Sequence, residues 1–193
     1  TPSASSAASD VYKRQVTTLD QTNPDVAIAY QTLLEVSREV QAEGWSYNKE
    51  YHYDMTPDTN KQIPIANNIL QIDATRNAAN VQIDVVRRDG KLYDKANHTY
   101  EFGNKVSCDI VWLLDWVDIP TPIADYIVSR AAAIVSSRLV GDSDQYTILQ
   151  QKEQFNRAMA MEYECNQGDY TFFGHSGDTN TYNSYKPYNA LYR

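Results

Sequence analysis

The spacing of apolar residues first predicts a helix near the start of the chain. Apolar side chains recur every three or four positions from Val26 to Val40, which is the period of a helix with one buried face. Asn23 is a good capping residue, Pro24 suits the first helical position, and Gly44 suits the left-handed residue that ends many helices. We therefore expect a helix from about Pro24 to Glu43.

Beyond Gly44 the period shortens to two, which is typical of strands. Four aromatic residues of this stretch fall on odd positions: Trp45, Tyr47, Tyr51 and Tyr53. Residues 106–114 alternate in the same way, and Asp89-Gly90 is a two-residue hairpin signal. The pattern predicts five to seven short strands in a small antiparallel sandwich or partly open barrel.

The helical period returns after the strands. Thr121 and Pro122 are a capping residue and a first-turn proline, and Gly141 ends the helix that they begin. A third helix is expected from about Ser143 to Gln167. We expect its apolar stripe to pack against the other helices of the bundle. This stripe contains Ile148, Leu149, Phe155, Ala158, Met159 and Met161-Glu162-Tyr163.

Together these elements predict an α+β fold. A helical bundle is built from residues 16–44 and 119–167, with one helix before the strands and two long helices after them. Residues 45–118 form an inserted small antiparallel β-sandwich or barrel, and residues 168–193 form an extended C-terminal arm. The bundle is thus assembled from both sides of an inserted β domain.

The junction between the first helix and the strands carries candidate structural residues. Trp45 directly follows Gly44, and a side chain just past a C-terminal glycine commonly packs back over the helix end. Trp112 is in phase with Val106 and Ile110, so we expect it in the core. We interpret Gly44, Trp45 and Trp112 as a structural joint.

Residues 1–15 do not share the pattern of the rest. The first nine are small and polar, and residues 10–15 read DVYKRQ, which looks like the translation of a transposase mosaic-end adapter from a sequencing library. Two interpretations stay open. These residues are either not native or a genuine polar lead-in.

Composition and charge disfavour several classes of function. The chain has 193 residues and a net charge of -8, which makes it a poor candidate for holding phosphates. It has no run of 18 apolar residues, so we expect no membrane span. Cys108 and Cys165 fit no metal-binding pattern and are expected to be free, buried thiols in a reducing compartment rather than a disulfide.

Catalytic and cofactor motifs do not occur in the sequence. His52, His98 and His175 have no second histidine at ligand spacing, and there is no nucleophile elbow, P-loop or dinucleotide fingerprint. Glu162 and Glu164 are two positions apart on a predicted helix, which points them to different faces. We therefore assign no catalytic, cofactor-binding or metal-binding residue.

The composition changes sharply at Gly168. Residues 168–193 contain five tyrosines and two phenylalanines but no valine or isoleucine. A segment without an apolar period cannot fold alone, and tyrosine suits interfaces that are wet on one side. We predict that this arm orders against another chain. Its interface residues are then Tyr170, Phe172, Phe173, Tyr182, Tyr185, Tyr188 and Tyr192.

Several blocks of the sequence resemble one known family, in the same order. The first is VTTLDQTNPDVAIAYQTLLEVSREVQAEGWSYNKEY, residues 16–51. Further blocks are YDMTP, GKLYD, NHT, VWLL, YIVSRAA and MEYE. Over about residues 16–167 they resemble the tail tubular protein A family of short-tailed phages, the head-to-tail adaptor or gatekeeper. Family members usually carry another helix before residue 16, where this chain has the DVYKRQ hexapeptide.

The resemblance implies a structural virion protein with no enzyme activity as its main role and no cofactor. It implies a homo-oligomer, a dodecameric ring below the portal protein. The ring would join the portal to a tail nozzle protein of the tail tubular protein B type and let double-stranded DNA pass without specific binding. Such a protein is located in the virion tail after assembly in the cytoplasm of the bacterial host.

Two other classes of function stay open from the residues alone. One is a carbohydrate-binding or cell-wall-degrading tail protein, which would use aromatic faces and a pair of carboxylates in a cleft. The other is a DNA-binding module, which is disfavoured because the sequence shows no lysine- or arginine-rich face. Lys152 and Arg157 on the third predicted helix are isolated, and Lys105 precedes an apolar strand.

Overall fold

The computed structural model of the chain describes residues 23–77, 83–139 and 141–168. These ranges contain three α-helices and five strands, so the predicted α+β fold, with one helix before the strands and two long helices after them, is confirmed. The helices are α1 (Pro24–Gln41), α2 (Thr121–Leu139) and α3 (Ser143–Gln167). The strands are β1 (Lys49–Met55), β2 (Ile69–Asn77), β3 (Val85–Arg88), β4 (Lys91–Asp94) and β5 (Val106–Trp112).

The local signals at the start of α1 act as predicted. The Asn23 side chain accepts a hydrogen bond from the N–H of Asp25 at 3.0 Å, which satisfies one of the free donors of the first turn. The helix ends at Gln41, two residues before the predicted end. Gly44 then adopts a positive φ of 77°, a conformation that turns the chain away from the helix axis.

The five strands form two antiparallel sheets. β5 lies at the centre of a three-stranded sheet, with β1 and β2 on either side, and β3 pairs with β4 in a hairpin. Asp89 and Gly90, which join the hairpin strands, have φ values of 52° and 70°, as the predicted two-residue turn requires. Side chains from both sheets share one buried apolar cluster that includes Leu92 and Ile110.

The strand predicted to begin at Trp45 begins at Lys49 instead. Residues 45–48 form the turn that follows α1. Trp45 is buried among side chains of the helices, and Tyr47 packs against the same cluster. Only the last two aromatic residues of the predicted alternation lie in β1, because the first two anchor the turn to the helical core.

The three helices share a second buried cluster, in which α2 lies between α1 and α3. α2 packs against both of the other helices, and Ile123, Tyr126 and Ile127 of α2 are fully buried. Both cysteines are free, as predicted, and Cys108 is buried in the sheet core. The expected burial is wrong for Cys165, which is exposed on α3. The helical cluster consists of Val36, Val40, Trp45, Ile119, Ile123, Tyr126, Ile127, Ala131 and Ala160.

The predicted packing face of α3 is wrong, although the bounds of the helix are right. Ile148 and Phe155, both assigned to the packed stripe, are 67% and 66% exposed. Met159, Met161, Ala158 and Glu162 are exposed as well, while Leu149 and Tyr163 are partly buried. The fully buried residue is Ala160, whose small side chain allows α3 to approach the other helices closely. Burial of this small residue turns the larger apolar side chains outward.

Asp94 stabilises the turn that follows β4. Its carboxylate accepts hydrogen bonds from the N–H groups of Ala96 and Asn97, at 2.8 and 3.1 Å, and from the Asn97 side-chain amide at 2.8 Å. Burial raises the pKa of Asp94, but these hydrogen bonds outweigh burial. The pKa of Asp94 therefore lies below its usual range.

We expect Asp94 to make the protein less stable in acid. A carboxylate with a lowered folded pKa contributes stability above its unfolded pKa of about 3.9. That contribution is lost as the pH falls through the lower folded pKa. Asp94→Asn removes this titration. As the pH falls from about 5 to about 2, the variant should therefore lose less stability than the wild type. Thermal unfolding over this range measures the difference, with exposed Asp73→Asn as the control. Equal pH dependence in Asp94→Asn and wild type would contradict the assignment.

Candidate interaction surfaces

The side chain of Trp45 fixes the turn after α1 to the end of that helix. The residue is only 4% exposed, and its indole N–H donates a hydrogen bond to the Val40 carbonyl at 2.7 Å. The N–H of Glu43 also donates to this carbonyl at 3.1 Å, so the indole is a second donor to a carbonyl of the last helical turn. The indole therefore both fills the helical core and caps the helix end.

Gly44 lies against the central strand of the three-stranded sheet. A Cβ atom at Gly44 would be 3.3 Å from Cγ2 of Val111, which is closer than ordinary packing. The positive φ at Gly44 also strains any L side chain. Both observations explain why glycine is the residue that brings the helix end onto the sheet.

Trp112 is connected to the same junction through Asn48. The N–H of Trp112 donates to the Asn48 carbonyl at 2.8 Å, and the Asn48 side-chain amide donates to the Trp112 carbonyl at 2.8 Å. The same amide also donates to the Gln41 carbonyl at 2.8 Å. The N–H of Asn48 also donates to the Trp45 carbonyl at 3.1 Å, so buried Asn48 connects Trp45 with Trp112. The role of Gly44, Trp45 and Trp112 as a joint stays a prediction.

Gln41 is the second buried amide at this junction. Its Oε1 accepts a hydrogen bond from the N–H of Leu114 at 2.8 Å, and its Nε2 donates to the Leu114 carbonyl at 3.2 Å. These two bonds join the last residue of α1 to the chain just beyond β5. Sequence reasoning did not assign Gln41 or Asn48 to the joint. A single buried amide leaves no periodic signal in a sequence, and Gln41 lies beside another buried polar residue of α1, Ser37, to whose hydroxyl its amide donates at 3.1 Å.

Glu164 connects α3 to the turn after α1. Its carboxylate accepts hydrogen bonds from the N–H of Ser46 at 2.9 and 3.0 Å and from the Ser46 hydroxyl at 2.9 Å. Burial, and secondly the negative charge of Glu164, raise the pKa of the nearby Tyr47 hydroxyl, which therefore stays neutral. Glu162 is exposed on another side of α3, so the two carboxylates do not share a cleft.

A row of exposed side chains runs along α3, and we call it the outer stripe. It consists of Ile148, Lys152, Phe155 and Met159, at intervals of four, three and four residues. All four are exposed in the described chain. A second exposed apolar group is formed by Trp116 and Val117 in the short 3₁₀ turn before α2, where Val117 is 93% exposed. Both groups are candidate contacts with other chains.

The predicted aromatic interface of the arm lies outside the described residues. This holds for Tyr170, Phe172, Phe173, Tyr182, Tyr185, Tyr188 and Tyr192, so their role stays a prediction. Residues 1–15 lie outside the described ranges as well. Within those ranges, no three His, Cys, Asp or Glu side chains are grouped closely enough to hold a metal ion. None of the described helices is both long and apolar enough to cross a membrane.

Comparison with known protein families assigns residues 9–170 to a structural component of phage tails. This component is the tail tubular protein, and the chain belongs to the tail tubular protein family. It is therefore a structural protein of a phage virion, located in the tail as part of an oligomeric assembly. A search of curated proteins finds no match to the chain.

Proposed function

We propose that this chain is the head-to-tail adaptor of its virion, one subunit of a ring between the portal protein and the tail nozzle protein. The observation that carries this proposal is the family match over residues 9–170, which includes every helix and strand described above. The role is structural and needs neither turnover nor a cofactor. The resemblance of the sequence to the A-type tail tubular proteins implies twelve subunits, assembled in the host cytoplasm.

The charge of the chain supports passage of DNA without specific binding. Twelve copies of a chain with a net charge of -8 would give the ring about -96 formal charges. DNA phosphates are negative as well, so such a ring disfavours adhesion of the passing duplex. Several cations are already paired with carboxylates of the same chain. These ion pairs are Lys95–Asp84, Lys105–Asp54, Arg130–Glu39 and Arg138–Glu35.

The C-terminal arm is the proposed attachment to the portal or to a neighbouring subunit. Tyrosine rings bury a large area with few rotatable bonds, so an arm rich in tyrosine gains affinity when it docks in shallow grooves. Tyr182, Tyr185 and Tyr188 are spaced three residues apart in this arm. Each docked ring contributes about 1–2 kcal/mol, and the contribution is repeated in every subunit of a ring.

The test is a chain that ends at Gln167. We expect this chain to fold, because the described helices and strands all lie before that residue. We expect it to lose attachment to the cognate portal protein, because the docked tyrosines are gone. Circular dichroism measures the folding, and co-sedimentation with portal measures the attachment. Unchanged attachment would contradict the role of the arm. No attachment by the full chain would contradict the adaptor function itself.

Matched variants of the full chain distinguish the contribution of the tyrosine side chains to attachment from that of the length of the arm. Replacement of Tyr182, Tyr185 and Tyr188 by serine removes the rings, whereas replacement by phenylalanine keeps them. Burial of the ring supplies most of the docking energy, so the phenylalanine variant should still co-sediment with portal and the serine variant should not. Co-sedimentation of the serine variant at the wild-type level would show that these tyrosine side chains do not dock.

A further inference from the structure

α3 carries two rows of side chains, and only one of them packs within the described chain. The inner row consists of Leu149, Glu153, Asn156 and Ala160, all buried or partly buried. It faces α2, where the Asn156 amide donates a hydrogen bond to the Asp125 carbonyl at 3.2 Å. The outer stripe occupies the same positions shifted back by one residue, which is a rotation of about 100° around the helix. The two rows therefore lie on different sides of α3.

The outer stripe has the composition and spacing of a helix contact. Two of its large apolar side chains, Ile148 and Phe155, are about two-thirds exposed, and Met159 is 44% exposed. Apolar side chains grouped in one row are uncommon on a surface that meets only water. Intervals of four, three and four residues are those with which one helix packs along another. The outer stripe thus fits a helix that the described part of the chain does not supply.

Lys152 indicates the charge of what covers the stripe. It forms no ion pair within the described residues. No carboxylate stands three or four positions from Lys152, so the helix itself offers none. A second copy of the chain has 25 acidic residues and a net charge of -8. Such a copy readily brings a carboxylate to Lys152.

We infer that the outer stripe is a contact between neighbouring copies of this chain, in which a helix of one copy packs along α3 of the next. The inference rests on the proposed function, because it takes the ring as the assembly. Family membership already places the chain in an oligomeric tail structure. A contact between two different surfaces closes a ring when it is repeated, and the outer stripe is one of those two surfaces.

Two methionines of α3 provide the test and its control. Met159 lies in the outer stripe, whereas Met161 lies about 200° further around the helix, outside both rows. Their exposures are similar, at 44% and 47%. Met159→Asp places a carboxylate in the proposed contact, and Met161→Asp makes the same change on the same helix away from it. Differences in helix propensity or net charge therefore cannot explain a difference between the two variants.

Sedimentation velocity and native mass spectrometry of the full chain, alone and with cognate portal, measure the assembly. We expect Met159→Asp to weaken the contact between copies by about 10-fold or more, and Met161→Asp to assemble as the wild type does. Circular dichroism shows that both variants are folded. If the wild type assembles and Met159→Asp assembles equally well, the inference is overturned. If the wild type does not assemble even with portal, the proposed function fails instead.

Lys152→Glu tests the charge of the covering surface without a change in the apolar side chains. Because the neighbouring copy is proposed to present a carboxylate, reversal of this charge should weaken assembly, and less so at high salt. Assembly of Lys152→Glu that matches the wild type at every salt concentration would contradict the charge pairing. A stripe covered by the arm of the same chain predicts no change in assembly for either Met159→Asp or Lys152→Glu, which would also overturn the inference.

Discussion

Trp45→Ala is expected to lower the free energy of unfolding by about 3 kcal/mol or more, as large-to-small substitutions in a core do. The indole is almost fully buried in the cluster that joins the three helices, so its removal leaves a cavity. The hydrogen bond from the indole to the Val40 carbonyl is lost as well, although that carbonyl keeps the bond from the N–H of Glu43. Urea unfolding followed by circular dichroism gives the free energy.

Trp116→Ala is the matched control for Trp45→Ala. Trp116 is 45% exposed in the short turn before α2, so the same substitution removes much less buried surface. Surface substitutions usually change stability by about 0.5 kcal/mol, and this ring is partly buried, so we expect a loss of about 1 kcal/mol or less. If the two variants lose equal amounts of the free energy of unfolding, burial of Trp45 contributes no more to stability than the partly exposed Trp116 does. If Trp45→Ala and the wild type have the same midpoint of urea unfolding, Trp45 is not a core residue.

Glu164→Ala is expected to have the second-largest effect on stability, a loss of about 2 kcal/mol. Hydrogen bonds to a charged group contribute about 1.5–3 kcal/mol, and removal of the carboxylate leaves the N–H of Ser46 without this acceptor. Relief of the burial of the carboxylate offsets part of that loss. The same urea unfolding measures the result.

Two variants control for the loss of a glutamate from α3. Glu162→Ala removes an exposed carboxylate two residues away and should cost no more than about 0.5 kcal/mol. Glu164→Gln keeps an oxygen that can accept a bond from the N–H of Ser46, so it should retain part of the stability that Glu164→Ala loses. If Glu164→Ala is as stable as Glu162→Ala, the contact with Ser46 does not hold α3 in place.

The boundaries of the helices were predictable because local signals determine them. Asn23 caps α1, Asp142 caps α3 through the N–H groups of Asp144 and Gln145, and Gly44 and Gly141 both have positive φ. The hairpin turn at Asp89-Gly90 is equally local. Such signals act between neighbours in the sequence, so one sequence is enough to show them.

The orientation of α3 was not predictable, because distant contacts determine it. The helix has apolar residues on more than one side, so its period does not show which side packs. Ala160 and Glu164 decide this, and Glu164 contacts Ser46, which lies 118 positions away in the chain. Trp45 and Tyr47 were assigned to a strand for a related reason: their alternation coincides with that of β1 although they pack on helices. The aromatic interface of the arm stays a prediction.

The different surroundings of the two cysteines provide a way to count subunits. Burial, and secondly the carboxylate of Asp109, raise the pKa of the Cys108 thiol to about 12, so it stays protonated and enclosed at neutral pH. Cys165 is exposed on α3, and the chain has no third cysteine. A maleimide dye therefore attaches once per subunit without any substitution. The number of photobleaching steps from one labelled particle then gives the number of subunits in it.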